Sequence, residues 1–511
     1  MRAPKRASHR WPLVAITTLL GVVFLLPLIL EPADVQKYYL ALVLTALTLV
    51  PLIVRGTSGT LDLFEPIIPI SMLIGLSYGV RAMYLAYAPA TLEPILTGRL
   101  PFYDYIDRGL VVAIAAYCAL LAGYYIVAAP LRIRPLAHTR FGRSGWPTSN
   151  VDIRKVAVLL GLAVLGSMLA PGQLGGEVSG TTTFVGILAN LAQVTACVLA
   201  LYIGSGDRRL WLRAVVWGIA LPLAVWQSLV MAAKAYVLQL LYILLAARHY
   251  AKRPVRLPAF VAAAVLAALV IFPIVNVFRG AGYVRQQEAF GAPTAMGGRI
   301  TQLVTVLASM GIRDYVQFAG EGLLSRSTGV DTLSLLLKYD VSEQLGNPSA
   351  YALIPIYAFV PRLVWPDKPV LDQGTRFGQL LLVPTFEGRE LAASFGIYHF
   401  GDLFLSFGLA GLLFGMCAMG CVYRLTYRFF DPMHSNDLGI KFLYILVLWA
   451  MVNGFESDIP STYSNLLKSL AVWAVIKVWL NQRQPFRLPA APGVQPPPEF
   501  FATGMPSRVP R

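Results

Sequence analysis

Charge is what this sequence has least of. Only 13% of its 511 residues are Asp, Glu, Lys or Arg, against 57% apolar residues. A water-facing globular surface draws on about 25% charged residues, so half that supply excludes an ordinary soluble domain. Cysteine is rare as well. Cys118, Cys197, Cys417 and Cys421 all fall inside apolar runs, a pattern that fits neither a disulfide framework nor a zinc spacing. Also missing are a Gly-x-x-x-x-Gly-Lys-Ser/Thr loop, a His-Glu-x-x-His helix and an Asp-x-Asp pair of the kind that holds a nucleotide-sugar metal. P-loop ATP hydrolysis and zinc-protease chemistry lose their usual carriers. The expectation is a chemistry with no cofactor and no divalent metal.

What is present is hydrophobic length. Mean hydropathy is +0.63, and the apolar residues come in blocks of about 20, enough to cross a bilayer core. The chain reads as an all-α polytopic membrane protein of about twelve spans. They fall at 11–30, 38–54, 63–90, 108–130, 156–171, 183–204, 214–231, 235–247, 258–278, 398–423, 439–456 and 465–482. The net charge of +16 invites a nucleic-acid reading, but the basic residues sit in short segments between apolar blocks. Arg55, the group Arg132 to Lys155, Arg208 to Arg213, Arg248 to Arg256, and Arg424 with Arg428 all fall on one side when spans alternate from an inside start. That is the positive-inside pattern, so the charge encodes topology and no nucleic-acid partner is expected. The first block is too long for a signal-peptide core and lacks a small-x-small cleavage site. An uncleaved span with both termini cytoplasmic is expected. The stretch 214–250 is one apolar run broken by Lys234, and two short spans meeting there keep the later basic loops inside.

This divides the chain into nine spans in 1–278, a large outer loop domain at 279–397, three spans in 398–482 and a proline-rich cytoplasmic tail at 483–511. The outer segment carries ten basic and ten acidic residues between Arg279 and Glu390. Connections of this length are usually functional. Helical spacing is expected at 299–310 and 328–340, with Asp331 as an early-turn acid.

Ionisable residues in or beside spans are costly and mark candidate sites. Lys234 lies among small residues at the turn between two spans, and Arg81 near the outer end of the third. For both, the bland alternative is snorkelling to the interface. Arg279 and Arg285 follow the ninth span on the outer side, against the positive-inside bias. His399 and Asp402 open the tenth span, and Glu456 with Asp458 closes the eleventh, where a solvated turn is the competing reading. The string Phe359-Val-Pro-Arg362-Leu-Val-Trp365-Pro-Asp-Lys368-Pro369 is held extended by its prolines. Such a strip can present Arg362 and Lys368 to an anion, with Trp365 as a platform or as a loop staple.

Three strings carry a resemblance to a known family: the segment ending at Phe278-Arg279, the run Ser325-Arg326-Ser-Thr-Gly-Val-Asp331-Thr-Leu, and Pro-Arg-x-x-Trp-Pro-x-Lys-Pro at 361–369. With about twelve spans and one large outer loop, the chain resembles the Wzy-type oligosaccharide repeat-unit (O-antigen) polymerases of bacterial envelopes. The resemblance implies a glycosyltransferase in the bacterial inner membrane that moves a growing glycan from undecaprenyl diphosphate to a newly flipped, lipid-linked repeat unit. Membrane lipids, a chain-length regulator and a flippase are the implied partners. It also implies a cationic clamp on the leaving diphosphate, drawn from Lys234, Arg279, Arg285, Arg326, Arg362 and Arg81. The related O-antigen ligases often carry Arg at the turn where this chain has Lys234, and Lys lacks bidentate geometry. His399, oriented by Asp402, is the favoured base, with Glu456 the alternative. An O-antigen ligase and a lipid-linked oligosaccharide flippase are the rival readings.

Overall fold

A computed structural model describes residues 23–25, 32–57, 61–87, 102–139, 153–169, 188, 190–230, 235–251, 254–288, 301, 304–306, 308–324, 327–360, scattered positions between 364 and 380, and 396–481. Every regular element among them is helical. The long helices are α1 (Val35–Thr57), α2 (Ile67–Tyr87) and α3 (Tyr103–Val127), then α4 (Ile153–Leu169) and α5 (Leu191–Gly204). Next come α6 (Leu210–Gln227), α7 (Ala235–Ala251) and α8 (Leu257–Glu288). The segment expected outside holds α9 (Ile312–Leu324) and α10 (Gly329–Tyr339). The chain then returns through α11 (Tyr398–Phe430), α12 (Leu438–Gly454) and α13 (Ile459–Asn481).

Among the described residues, α1, α2, α3, α6 and α11 are each long and apolar enough to cross a bilayer, and three shorter apolar helices accompany them. Helix surfaces are greasy on the outside: Phe414 of α11 is 78% exposed, Met168 of α4 72% and Trp217 of α6 58%. Soluble proteins rarely present apolar area on that scale, whereas lipid accepts it. This is a helical membrane protein. Its scarce acids are spent partly on helix starts, where unpaired N–H groups need acceptors. Asp34 accepts from the Lys37 N–H at 3.0 Å, Asp437 from Gly439 at 2.7 Å and Asp458 from Ser461 at 2.7 Å.

Helix directions are settled by contacts between residues far apart in sequence. Ala220 and Ala224 of α6 share a small core with Leu240 of α7. A continuous helix would hold positions 224 and 240 about 24 Å apart, so α6 and α7 fold back on each other across the Lys234 region. Helix α8 runs on to Glu288 without a break at 278. At about 1.5 Å per residue its 32 residues reach roughly 48 Å, longer than a bilayer core. The 398–423 block is not a straight span either. Gly408 sits at φ 67°, ψ −166° inside α11, a conformation open to glycine. Leu403 packs where a Gly415 Cβ would be, and His399 reaches Tyr423. A straight helix would separate residues 399 and 423 by about 36 Å, so the first ten residues of α11 fold back along the rest.

Helix α11 packs on α3 with almost no space between backbones. A Cβ at Gly123 would lie 1.9 Å from the Cys417 carbonyl oxygen, and one at Gly420 would lie 2.2 Å from that of Leu120. Small residues drive such contacts in membranes because they let backbones approach. Gly420→Val is therefore expected to destabilise the protein by about 1–3 kcal/mol, the cost of overpacking. A lowered melting temperature in detergent would register it, and an unchanged one would mean the helices can separate freely.

The 328–340 expectation corresponds to α10, but α10 is not a surface helix. Residues 329 to 336 are all buried. Gly329 lies against the Tyr78 ring, Ser334 against Gly109 of α3 and Leu336 against Gly401. Val330, Leu333, Leu335 and Leu336 supply the apolar surface that carries this helix into the bundle. The 299–310 stretch is described only in part.

Candidate functional site

The residues around α10 and the start of α11 form the densest described group from the sequence-derived set. Arg81 is 2% exposed and faces Asp331 of α10, which is 1% exposed. Its Nη2 donates to Oδ2 at 2.8 Å, and Nε donates to the same oxygen at 3.2 Å. Burial pushes the Asp331 carboxyl up and the Arg81 guanidinium opposes that rise. Asp331 is thus more than a dipole partner in a first turn. It is the counterion that docks α10 onto α2, helped by Thr332, whose hydroxyl donates to the Gly396 carbonyl at 3.1 Å. Arg81 is committed to this pair.

Beside this dock, segment 396–402 packs on the turn between α12 and α13. The N–H groups of Tyr398 and His399 donate to the carbonyls of Glu456 and Phe455, both at 3.1 Å. Tyr398 has φ 57°, a strained value for a bulky side chain. Two backbone bonds and the contact of its hydroxyl with Ser77 at 3.3 Å hold it there. Such strain persists only where the surroundings over-determine it, and it gathers at functional sites.

His399 is fully buried. Its Nδ1 stands 3.5 Å from the Tyr423 hydroxyl, its ring centroid 4.9 Å from that of Phe455. Nε2 has no hydrogen-bond partner among the described residues. Asp402, also fully buried, does not bond to the imidazole. Its Oδ2 accepts from the Tyr351 hydroxyl at 2.6 Å and from the Ile459 N–H at 2.8 Å. The carboxylate thereby supplies an acceptor to the first turn of α13, where the helix dipole favours negative charge. Burial and the adjacent Asp402 push the Tyr351 phenol up, so it stays a donor. Asp458 caps α13 and is buried. Glu456 is half-buried, between the exposed Asn453 and Ser457, with its carboxylate near the Tyr398 phenol.

The remaining candidates separate. Lys234, Arg326 and Arg362 lie outside the described residues. The backbone of α8 carries Arg279 and Arg285 on the part that extends past position 278. In the proline string, Trp365 stacks on Tyr357 at 5.9 Å and 10°. Lys368 Nζ donates to the Tyr357 and Val360 carbonyls at 2.7 and 2.9 Å. Trp365 is a staple, and the Lys368 ammonium closes the loop in place of contacting an anion.

A second ionic group, absent from the sequence-derived set, lies at the other end of α2. Glu65 Oε1 accepts from Arg55, from the Tyr124 hydroxyl and from Arg424, the last at 2.8 Å. Asp62 accepts from Tyr250 at 2.9 Å and Tyr427 at 2.8 Å, with His249 Nε2 at 3.2 Å. The available signal was two acids in Asp62-Leu-Phe-Glu65 opening an apolar span, a costly placement that demands partners. No protein-family model, curated protein or solved structure matches the chain.

Proposed function

We propose that this protein polymerises lipid-linked oligosaccharide repeat units at the outer face of the bacterial inner membrane. The observation that carries the reading is the docking of α10, which bears the Gly-Val-Asp331-Thr part of the second family-like string, into the membrane helices through Arg81 and Asp331. It lies beside the strained Tyr398 turn. An outer segment built in this way is part of the membrane body and can close over a headgroup held at its surface. In the reaction, the acceptor hydroxyl oxygen bonds to the anomeric carbon of the growing glycan. The bond from that carbon to the carrier diphosphate breaks, and the diphosphate leaves with the electron pair. Fixed cations near that charge lower the barrier without ATP.

Lys234, Arg279, Arg285, Arg326 and Arg362 form the proposed clamp. Glu456 takes the hydroxyl proton, because it is the partly exposed carboxylate of the candidate set whereas His399 and Asp402 are enclosed. Gene deletion with surface glycan run on a gel tests the reading. A ladder reduced to a single repeat supports it; polymer stranded on the carrier would mean a ligase, and repeat units trapped inside a flippase. Within the clamp, Lys234→Met and Arg279→Ala are each expected to cost on the order of 10²–10³ in rate, as for oxyanion-type donors. Lys234→Arg should retain activity. Full-length polymer from both damaging variants would leave the clamp without support.

The proposed topology has twelve spans, residues 279–397 outside and both termini inside. Cysteines introduced at Ser342 and Ser507 are expected to react with a membrane-impermeant thiol reagent at Ser342 alone. Labelling at Ser507 in intact cells would overturn that arrangement.

A further inference from the structure

The Glu65 end of the bundle opens into a cavity of about 960 Å³, at the upper end of the usual range of about 300–1,000 Å³ for small-molecule sites. Four arginines line it, Arg55, Arg132, Arg424 and Arg428, against the carboxylates of Glu65 and Asp431. The excess is cationic. Glu65 gathers Arg55 and Arg424 on one oxygen, which positions two guanidiniums with one negative charge between them. Arg428 Nη1 donates to the carbonyls of Ala128 and Leu131, both at 2.8 Å, and of Ala129 at 3.1 Å. Those bonds close the C-terminal end of α3 and shape the cavity wall. Arg132 extends from that wall into solvent.

The wall is also greasy. Ile126 and Val127 at the end of α3 are exposed, and so are Leu131 and Ile133 on the lining segment. A soluble anion has no use for an apolar strip that leads to a cluster of guanidiniums. A lipid with a phosphate headgroup uses both parts. Acyl chains cover the strip, and phosphate oxygens take the charge-assisted hydrogen bonds that planar guanidiniums offer in pairs.

We infer that this cavity binds the headgroup of an anionic phospholipid, with Arg132, Arg424 and Arg55 as its phosphate contacts. In the orientation proposed above it is the cytoplasmic end, where anionic lipid is drawn to basic residues. The site does not depend on the glycan reading. It lies at the Ile67 end of α2, about 21 Å along the helix from Arg81, the rise of fourteen helical residues.

The test uses the full chain, stripped of lipid in an uncharged detergent and titrated with phosphatidylglycerol, phosphatidylcholine or inorganic phosphate, with bound lipid read by native mass spectrometry and stability by thermal melt. Saturable binding of phosphatidylglycerol over phosphatidylcholine is expected. Arg132→Ala should weaken it by about fivefold, the usual effect of one basic residue at a lipid surface, and Arg424→Gln should weaken it further. Arg132 is exposed, so its variant keeps the fold even where Arg424→Gln melts early. Phosphatidylglycerol binding unchanged in both variants would overturn the site. Inorganic phosphate that stabilises and competes as well as the lipid would overturn the assignment to lipid.

Discussion

Arg81→Ala is expected to destabilise the protein by about 3–5 kcal/mol, because it strands a carboxylate in a buried position with no counterion. Asp331 is 1% exposed and its carboxyl is already pushed up by burial. Asp331→Ala should do comparable damage by stranding the guanidinium. The double variant Arg81→Met with Asp331→Leu removes both charges and fills both volumes, and it should recover most of the loss, since apolar replacements of buried ion pairs are often neutral or better. Melting temperature and monodispersity in detergent would measure all three. Wild-type stability in both single variants would mean that α10 does not depend on this pair. The double variant also separates docking from substrate binding. If it regains stability and still makes no polymer, the charged pair serves turnover as well as docking.

Glu456→Gln is expected to abolish most polymer, with a loss on the order of 10²–10⁴ in rate, the range for a general base. The amide keeps the shape and gives up the proton acceptor. His399→Gln should behave differently. Its ring is fully buried between Phe455 and Tyr423, so the loss should show first in stability and then in activity. Asp402→Asn should resemble it, because Asp402 is a bonding partner of Tyr351 and the α13 N-terminus. Single variants scored for glycan ladder at matched membrane abundance decide the matter. Wild-type polymer from Glu456→Gln, together with an inactive but fully stable His399→Gln, would return the base to His399 and require the 396–402 segment to open.

The sequence by itself determined the class of this protein and most of its helices. Length and apolarity are local properties, and a helix satisfies its backbone hydrogen bonds within its own segment, so a run of 20 apolar residues announces itself without its neighbours. The helices Ile67–Tyr87, Tyr103–Val127 and Leu438–Gly454 lie close to where hydropathy put them. Trp365 as a staple was equally legible, because closely spaced prolines restrict the chain around it. The capping acids Asp34, Asp437 and Asp458 act within two or three residues of themselves, but the long-range ion pairs were decided by tertiary structure alone. Arg81 and Asp331 are 250 residues apart, and nothing in either local pattern names the other. Glu65 meets Arg424 across 359 residues, a pairing no periodicity encodes. The fold-back of α11 turns on one backbone angle at Gly408, and a hydropathy window cannot see an angle. In a membrane the cost of burying a charge forces each one to find a partner. The sequence shows that the partner must exist, and only the packing of helices selects it.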